Sequence, residues 1–261
     1  MNETRIVNHR LTIVTVVKDD DDGFRRTLNS VLAQDLVDVE FLVVDSSAQP
    51  RINQESLAKA DIGYMYEWLV PEGIYPAMNS ALERATGEYV YFLNAGDQFH
   101  DANAVATIKS LLSTQPEWCF GRVRFISPDG QFVTPKPIDY AREQSSQFAR
   151  GLFPAHQGTI ARRELLSSLG GFDTRYRIAA DYALFLKLSL AARPLATDAV
   201  LADFYVGGLS SVAWRESIGE FHRARQSLLP MSRSERIREN FNTLCQLAMM
   251  SVARMRPGVR N

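Results

Sequence analysis

The chain has 261 residues, 46% of them apolar and 23% charged, with a formal net charge of −1. That composition suits one large packed domain, or a domain with an appendage, and excludes a disordered chain. It also gives no global electrostatic pull toward nucleic acid or a membrane.

Leu11 to Val17 (LTIVTVV) is β-branched with no polar alternation, the pattern of a strand buried on both faces. Lys18 to Gly23 is a turn whose four consecutive aspartates read as a solvated run, with Asp19 or Asp20 nearest to a ligand. A helix follows with Phe24, Leu28, Val31 and Leu32 on one side. Val39 to Val44 is a second buried strand, closed by Asp45. Strand, helix and strand of these lengths make a βαβ unit with a right-handed crossover. Both strands deliver polar loops to one sheet edge, where doubly wound proteins bind nucleotides. Asp45 is therefore a candidate base or ribose ligand, in competition with a plain turn-capping role. A third strand is expected over Ile62 to Leu69.

The stretch Glu72 to Asp97 (EGIYPAMNSALERATGEYVYFLNAGD) carries the densest signal. Pro76 sits in the first turn of a helix whose buried face is Ala77, Met78, Ala81, Leu82 and Ala85. Thr86-Gly87 stops it, with Gly87 suited to a left-handed cap. Glu88 to Leu93 is an inner strand, and Asn94-Ala95-Gly96-Asp97 sets a carboxylate at its carboxyl end.

Beyond it, Asp101 caps a helix to Ser113, and Trp118 to Ile126, Pro128-Asp129-Gly130 and Gln131 to Val133 form a hairpin. Residues 135–152 read as a loop over the site. Pro154-Ala155-His156-Gln157-Gly158 precedes a strand and a short helix; for a lone histidine, structural and ligand roles both stand. Ile178 to Tyr182 opens a helix with Asp181 in its first turn, where the helix dipole by itself would favour a carboxylate. Leu201 to Val206 is the last strand, and Gly207-Gly208-Leu209-Ser210 is a loop able to wrap a diphosphate through backbone N–H groups. From Arg215 on there are nine arginines against four glutamates, a surplus of five positive charges on an otherwise acidic chain. Two helices are expected there. Ile237, Phe241, Leu244, Leu247 and Val252 stripe the second, either packed on the domain or laid on anionic lipid. Cys119 and Cys245 lie far apart with no zinc spacing, which predicts packed free thiols in a reducing compartment. The N-terminus MNETRIVNHR is polar, so no signal peptide is expected. No run approaches the roughly 18 to 20 apolar residues of a bilayer span, and the expected location is cytoplasmic, at the inner membrane face if lipid is bound.

Gly73-Ile74-Tyr75-Pro76-Ala77-Met78-Asn79, then Gly87-Glu88, then Phe92-Leu93-Asn94-Ala95-Gly96-Asp97 resembles the signature of family-2 glycosyltransferases with the GT-A fold. More narrowly, the run is similar to that of bacterial exopolysaccharide and colanic-acid-type assembly members. The resemblance implies an α/β fold, a Rossmann-like mixed sheet flanked by helices, with a helical C-terminal extension. Residues 1–214 would form the transferase domain, its nucleotide-binding half about 1–100 and its acceptor half about 101–214, and residues 215–261 the basic extension. The implied reaction is inverting transfer of a sugar from a nucleoside diphosphate to an acceptor hydroxyl, lipid-linked or on a growing polysaccharide. UDP is preferred to GDP, and Mg²⁺ or Mn²⁺ is the implied cofactor. By the same resemblance Thr15, Val16, Val17 and Asp45 meet the base and ribose, while Gly73, Asn79, Asn94, Ala95 and Gly96 line the donor. Asp97 anchors the metal, His156 and Gln157 wall the acceptor side, and Asp181 is the general base. Gly207, Gly208 and Ser210 flank the diphosphate.

The chain departs from the family pattern at Ser46 to Pro50, usually Gly-rich and acidic, at Asn94, usually Asp, and at Ala180, often Glu. Two rivals follow. A nucleotidyltransferase would need a Gly-rich basic loop after the first strand, where this chain is acidic. A catalytically inactive relative would bind nucleotide-sugars or scaffold a complex. The acidic nucleotide edge argues against a nucleic-acid module.

Overall fold

The first two strands, β1 (Leu11–Val17) and β2 (Val39–Asp45), are buried at every residue and pair in parallel, Leu11 opposite Val39 and Val17 opposite Asp45. The computed structural model describes residues 10–50, 52, 57, 63–136, 153–207 and 213–255. Helix α1 (Asp21–Leu32) crosses between β1 and β2, β3 (Tyr64–Trp68) pairs outside β2, and α2 (Ile74–Arg84) leads to β4 (Tyr89–Phe92) inside β1. These four strands are parallel. The sheet then turns mixed through β5 (Gln98–Phe99), β6 (Trp118–Ile126), β7 (Phe132–Val133), β8 (Thr159–Arg162) and β9 (Leu195–Tyr205). Its order is β3-β2-β1-β4-β8-β6-β9-β5, with β7 hairpinned onto β6. Helices α3 (Ala104–Leu112), α4 (Arg163–Ser168), α5 (Ala180–Ala191), α6 (Trp214–Leu228) and α7 (Arg233–Met255) follow in chain order, with a short helical turn, His156–Gly158, just before β8.

The uninterrupted apolar strands have a simple cause. Val14, Val16, Leu42, Val44, Val90 and Phe92 face one core with α2 and α5, and their alternates Leu11, Ile13, Phe41, Val43, Tyr89 and Tyr91 face the other with α1 and α3. Trp118, fully buried, ties the mixed half to α5 by stacking on Phe185 and donating its indole N–H to the Ala192 carbonyl.

Local details differ from expectation in three places. Gly87 is not a left-handed cap; a Cβ there would meet the Thr12 nitrogen at 2.6 Å, so glycine is needed for close approach to β1. Asp101 caps a turn before α3, accepting from the Asn103 N–H, and α3 itself begins at Ala104. The last strand starts at Leu195, six residues before the expected Leu201. Among the aspartates of 19–22, Asp20 caps α1 by accepting from the Gly23 N–H at 2.8 Å. Cys119 is buried, its thiol pushed up to about 12 by burial, and Cys245 is also free. No described helix is long and apolar enough to cross a membrane.

Candidate active site

The carboxyl edge of the parallel half is held together by the chain itself. Thr15 is fully buried and donates to the Leu93 carbonyl at 2.8 Å, while the Ala95 N–H bonds the Val16 carbonyl at 2.9 Å. Val16 and Val17 are buried beside it. Asp45 is fully buried as well, accepting from the Ser47 N–H at 3.0 Å, the Ile52 N–H at 3.4 Å and the Tyr66 hydroxyl at 3.1 Å. Burial, followed by the Asp45 charge, pushes the Tyr66 phenol up to about 12. Asp45 thus pins the loop that follows β2, Ser46 to Pro50. Asn79 is engaged in the same way: its amide exchanges two hydrogen bonds of 2.8 Å with the backbone of Phe172 and so fixes the Gly170-Gly171 turn.

The loop after β4 is clamped from α1, by two residues the sequence reading did not single out. Thr27 donates to the Asp97 carbonyl at 2.6 Å and accepts from the Gly96 N–H at 3.1 Å, and Arg26 reaches the Gly96 carbonyl at 3.3 Å. A buried threonine inside an otherwise apolar helix face was the available signal. Gly96 has φ of 98° and Gly73, at the cap of α2, φ of 126°, both in the region that favours glycine. The result is a carboxylate turned inward: Asp97 is 6% exposed. Burial lifts its pKa to about 7, against a hydrogen bond from the Gln157 side chain and the charge of Arg26. Asn94 Oδ1 is buried without a hydrogen-bond partner, while its Nδ2 lies 3.3 Å from His156 Nε2. With the amide nitrogen donating, the imidazole proton resides on Nδ1.

That Nδ1 faces Asp181 Oδ2 at 3.8 Å, the side chains being 21% and 20% exposed. Burial pulls the His156 pKa down to about 4, so at neutral pH this contact is not an ion pair. Asp181 stands in the first turn of α5 and accepts from the Tyr182 N–H at 2.7 Å, with the Tyr75 hydroxyl, which donates to the Ile178 carbonyl at 2.6 Å, lying 3.4 Å from its Oδ1. Burial outweighs these bonds and raises its pKa to about 6.

Asp181, His156 and Gln157 line a cavity of about 750 Å³ between α2, α5, β6 and β9. Phe120, Phe125 and Phe204 are among its walls, and Arg122, Lys136 and Arg177 also line it. Asp97 is outside the cavity lining, and Gln157 bridges the two regions, lining the cavity while bonding Asp97. The structure therefore joins Asn94, Asp97, His156, Gln157 and Asp181 into one contiguous set. Gly207, with φ of 149°, follows β9; Gly208 and Ser210 lie outside the described residues. Among the described residues no three His, Cys, Asp or Glu gather to hold a metal.

The comparisons with known proteins agree with this architecture. An uncharacterized glycosyltransferase of Mycobacterium tuberculosis is 28% identical over 207 residues, covering 77% of each chain. A PGL/p-HBAD biosynthesis glycosyltransferase of Mycobacterium bovis is 26% identical over 163 residues, 59% of this chain and 60% of that one. Among solved structures, S. aureus TarS 1-349 in complex with UDP-GlcNAc superposes with a TM-score of 0.67 at 17% identity, covering 90% of this chain and 71% of that one. The present chain spans 43% of the longer S. aureus TarS chain. The mannosyltransferase PcManGT of Pyrobaculum calidifontis, in complex with GDP-Man and Mn²⁺, superposes with a TM-score of 0.62 at 20% identity, over 87% of this chain and 66% of that one. Both share the GT-A fold. The model of glycosyl transferase family 2 matches residues 12–170, more than half of the chain, and the chain belongs to that family.

Proposed function

We propose that the chain moves a sugar from a nucleoside-diphosphate sugar to an acceptor hydroxyl with inversion at the anomeric carbon. The observation that carries this reading is the Asn94–His156–Asp181 series, which connects the β4 loop to a carboxylate at the cavity wall. The acceptor oxygen attacks the anomeric carbon, the bond from that carbon to the diphosphate oxygen breaks, and the hydroxyl proton passes to Asp181. A carboxylate held near pKa 6 is ionised at neutral pH yet more basic than an ordinary aspartate, which suits a general base. Neutral His156 presents Nδ1–H toward Asp181 and so orients the carboxylate without neutralising it.

Two oxygens of this chain fit a divalent cation: the Asp97 carboxylate and the unpartnered Asn94 Oδ1. Mg²⁺ or Mn²⁺ takes such oxygen ligands, with donor phosphate and water completing the shell, and would offset charge on the leaving diphosphate. The raised Asp97 pKa supports this, because a carboxylate whose burial outweighs its Gln157 hydrogen bond and the Arg26 charge favours the proton until a cation replaces it. Thr15, Val16, Val17, Asp45, Gly73, Ala95 and Gly96 form the donor edge in this reading. Asp45 acts there by shaping the loop rather than by offering a free carboxylate. The nucleotide complexes of the TarS and PcManGT structures support a nucleotide-sugar donor, with UDP proposed ahead of GDP.

The acceptor is proposed to be lipid-linked, with α7 lying against an anionic membrane. Helix α7 turns Glu239 and Thr243 inward and leaves Ile237, Phe241, Leu244 and Met249 between 65% and 71% exposed. An apolar stripe on a basic segment suits the interface of anionic lipid.

Calorimetric titration with UDP and with GDP, each with and without Mn²⁺, tests the donor site on the wild type and on Asp97→Ala. Metal-dependent binding of one nucleotide, lost in Asp97→Ala, is expected. Absence of binding of both nucleotides with metal present would sink the reading and favour an inactive relative.

A further inference from the structure

Helix α5 starts at Ala180 without a side-chain cap of its own: Ala179 occupies the cap position. Its start is instead held from another helix. Glu220 of α6, 2% exposed, accepts from the Arg177 N–H at 3.0 Å, the Ile178 N–H at 2.8 Å and the Ala179 N–H at 2.9 Å. One carboxylate thus takes three successive backbone donors immediately before the turn that carries Asp181. The same backbone is tied from the opposite side, because the Tyr75 hydroxyl donates to the Ile178 carbonyl at 2.6 Å while lying 3.4 Å from Asp181 Oδ1. Arg223, 60% exposed, lies 3.3 Å from Glu220. A salt bridge that open to water contributes little, so the backbone N–H groups are the main partners of this buried charge. The next residue, Phe221, lines the cavity and packs on Phe153 and Tyr182.

We infer that Glu220 is a positioning residue for Asp181: from the C-terminal segment it fixes the backbone that aims the carboxylate and occupies the donors that would otherwise turn toward it. The inference rests on the reading of Asp181 as the base. It makes α6 part of the catalytic unit, although the sequence suggested a boundary at 214/215. The side chains that meet Asp181 are Tyr75 from α2 and His156 from the turn at His156–Gly158, while Glu220 of α6 acts on it through the backbone of residues 177–179. Arg177, just before α5, has its guanidinium 3.5 Å from Glu216. The N–H groups of residues 177–179 would favour the Asp181 carboxylate if left free, and Glu220 takes them up while bringing its own negative charge to the helix start. Both effects hold Asp181 in a more basic state; Glu220→Gln removes the charge and weakens the hold on the N–H groups, and Glu220→Ala removes both. The Asp181 titration must therefore move down in Glu220→Gln.

The test uses the full chain and Glu220→Gln, which keeps an acceptor oxygen and the shape of the side chain. The Asp181 carboxyl is followed by its ¹³C shift, assigned by its disappearance in Asp181→Asn. Release of nucleotide from UDP-GlcNAc and from GDP-mannose with Mn²⁺, water serving as acceptor, is measured against pH. Expected in Glu220→Gln are a titration midpoint lower by about half a unit to one unit and a turnover about three- to tenfold lower on the plateau, with the donor KM unchanged. Glu220→Ala should show a larger loss in the same direction. An unchanged Asp181 midpoint in folded Glu220→Gln overturns the inference, as does wild-type turnover in that variant while Asp181→Asn is inactive. A lower melting temperature with no change in midpoint also overturns it, because Glu220 would then only cap the helix. Wild-type turnover in Asp181→Asn removes the base reading itself and the inference with it.

Discussion

On the proposed donor side of the sheet edge, Thr15, Asp45 and Asn79 bond the chain's own backbone, as do Thr27 and Arg26 on the loop after β4. On the proposed acceptor side, Asp181 and His156 stand partly exposed at a cavity, and the bonds near them secure the backbone that carries them. The first arrangement is a rigid rim that shapes loops. The second leaves reactive atoms open and fixes only their supports, as a preorganised site requires. The comparison predicts that acceptor-side substitutions change rate, whereas donor-rim substitutions change stability or loop shape.

The largest effect is expected at Asp181. Replacing it with Asn removes the proton acceptor, and turnover should fall by about 10²–10⁴-fold. Nucleotide affinity by calorimetry should stay within about twofold, because Asp181 lies across the His156–Gln157 wall from Asp97. The pH dependence carries the same assignment. Asp181 acts only when ionised, and its pKa is raised to about 6, so the wild-type rate should climb with pH through a midpoint near 6 and level off above it. That limb should be absent from any residual rate in Asp181→Asn. A variant that loses nucleotide binding along with turnover would break the comparison, because the two sides would then be one site.

Asn79 gives the middle case and the opposite sign. Asn79→Ala leaves the Phe172 N–H and carbonyl without the partners they have here, and each buried orphan costs about 1–3 kcal/mol. Thermal or urea unfolding should register the loss, with nucleotide affinity little changed. Weaker nucleotide binding at an unaltered unfolding midpoint would instead make Asn79 a donor contact.

These assignments also mark where the sequence stopped being readable. The 72–97 stretch could be read because its helix, strand and terminal carboxylate are neighbours in sequence, each set by a local pattern of spacing and turn chemistry. The buried parallel strands could be read because packing on both faces leaves no alternation. The clamp from Asn79 to Phe172 spans 93 positions, that from Thr27 to the Asp97 carbonyl 70, and that from Glu220 to Ile178 42. A glutamate in the middle of a polar helix carries no mark of a distant helix start, so Glu220 had no local signal. Gly87 shows the same limit on a smaller scale: a glycine after a helix suggests a cap, yet the requirement comes from β1, 75 positions away by the Thr12 hydrogen bond.

Helix α7 had the most readable periodicity and the most incomplete inference. Its stripe of Ile237, Phe241 and Leu244 left packing on the domain and anionic lipid both open, and the inward face carries Glu239, which pairs with Arg225 of α6 at 2.6 Å, and Thr243, which meets His222 at 3.0 Å. Pattern alone gives an apolar face; which face is buried depends on partners from α6. The smallest stability effect is therefore expected here. Phe241→Ser and Leu244→Ser alter side chains that are each 65% exposed, and each should move unfolding by no more than about 0.5 kcal/mol. Sedimentation with vesicles containing phosphatidylglycerol should bind the wild type and release the double variant, while pure phosphatidylcholine vesicles bind both weakly, because the flanking arginines add attraction only to anionic lipid. A marked loss of stability in the double variant would mean that the stripe packs against protein, and a concentration-dependent change in wild-type mass would identify a second copy of the chain as its partner.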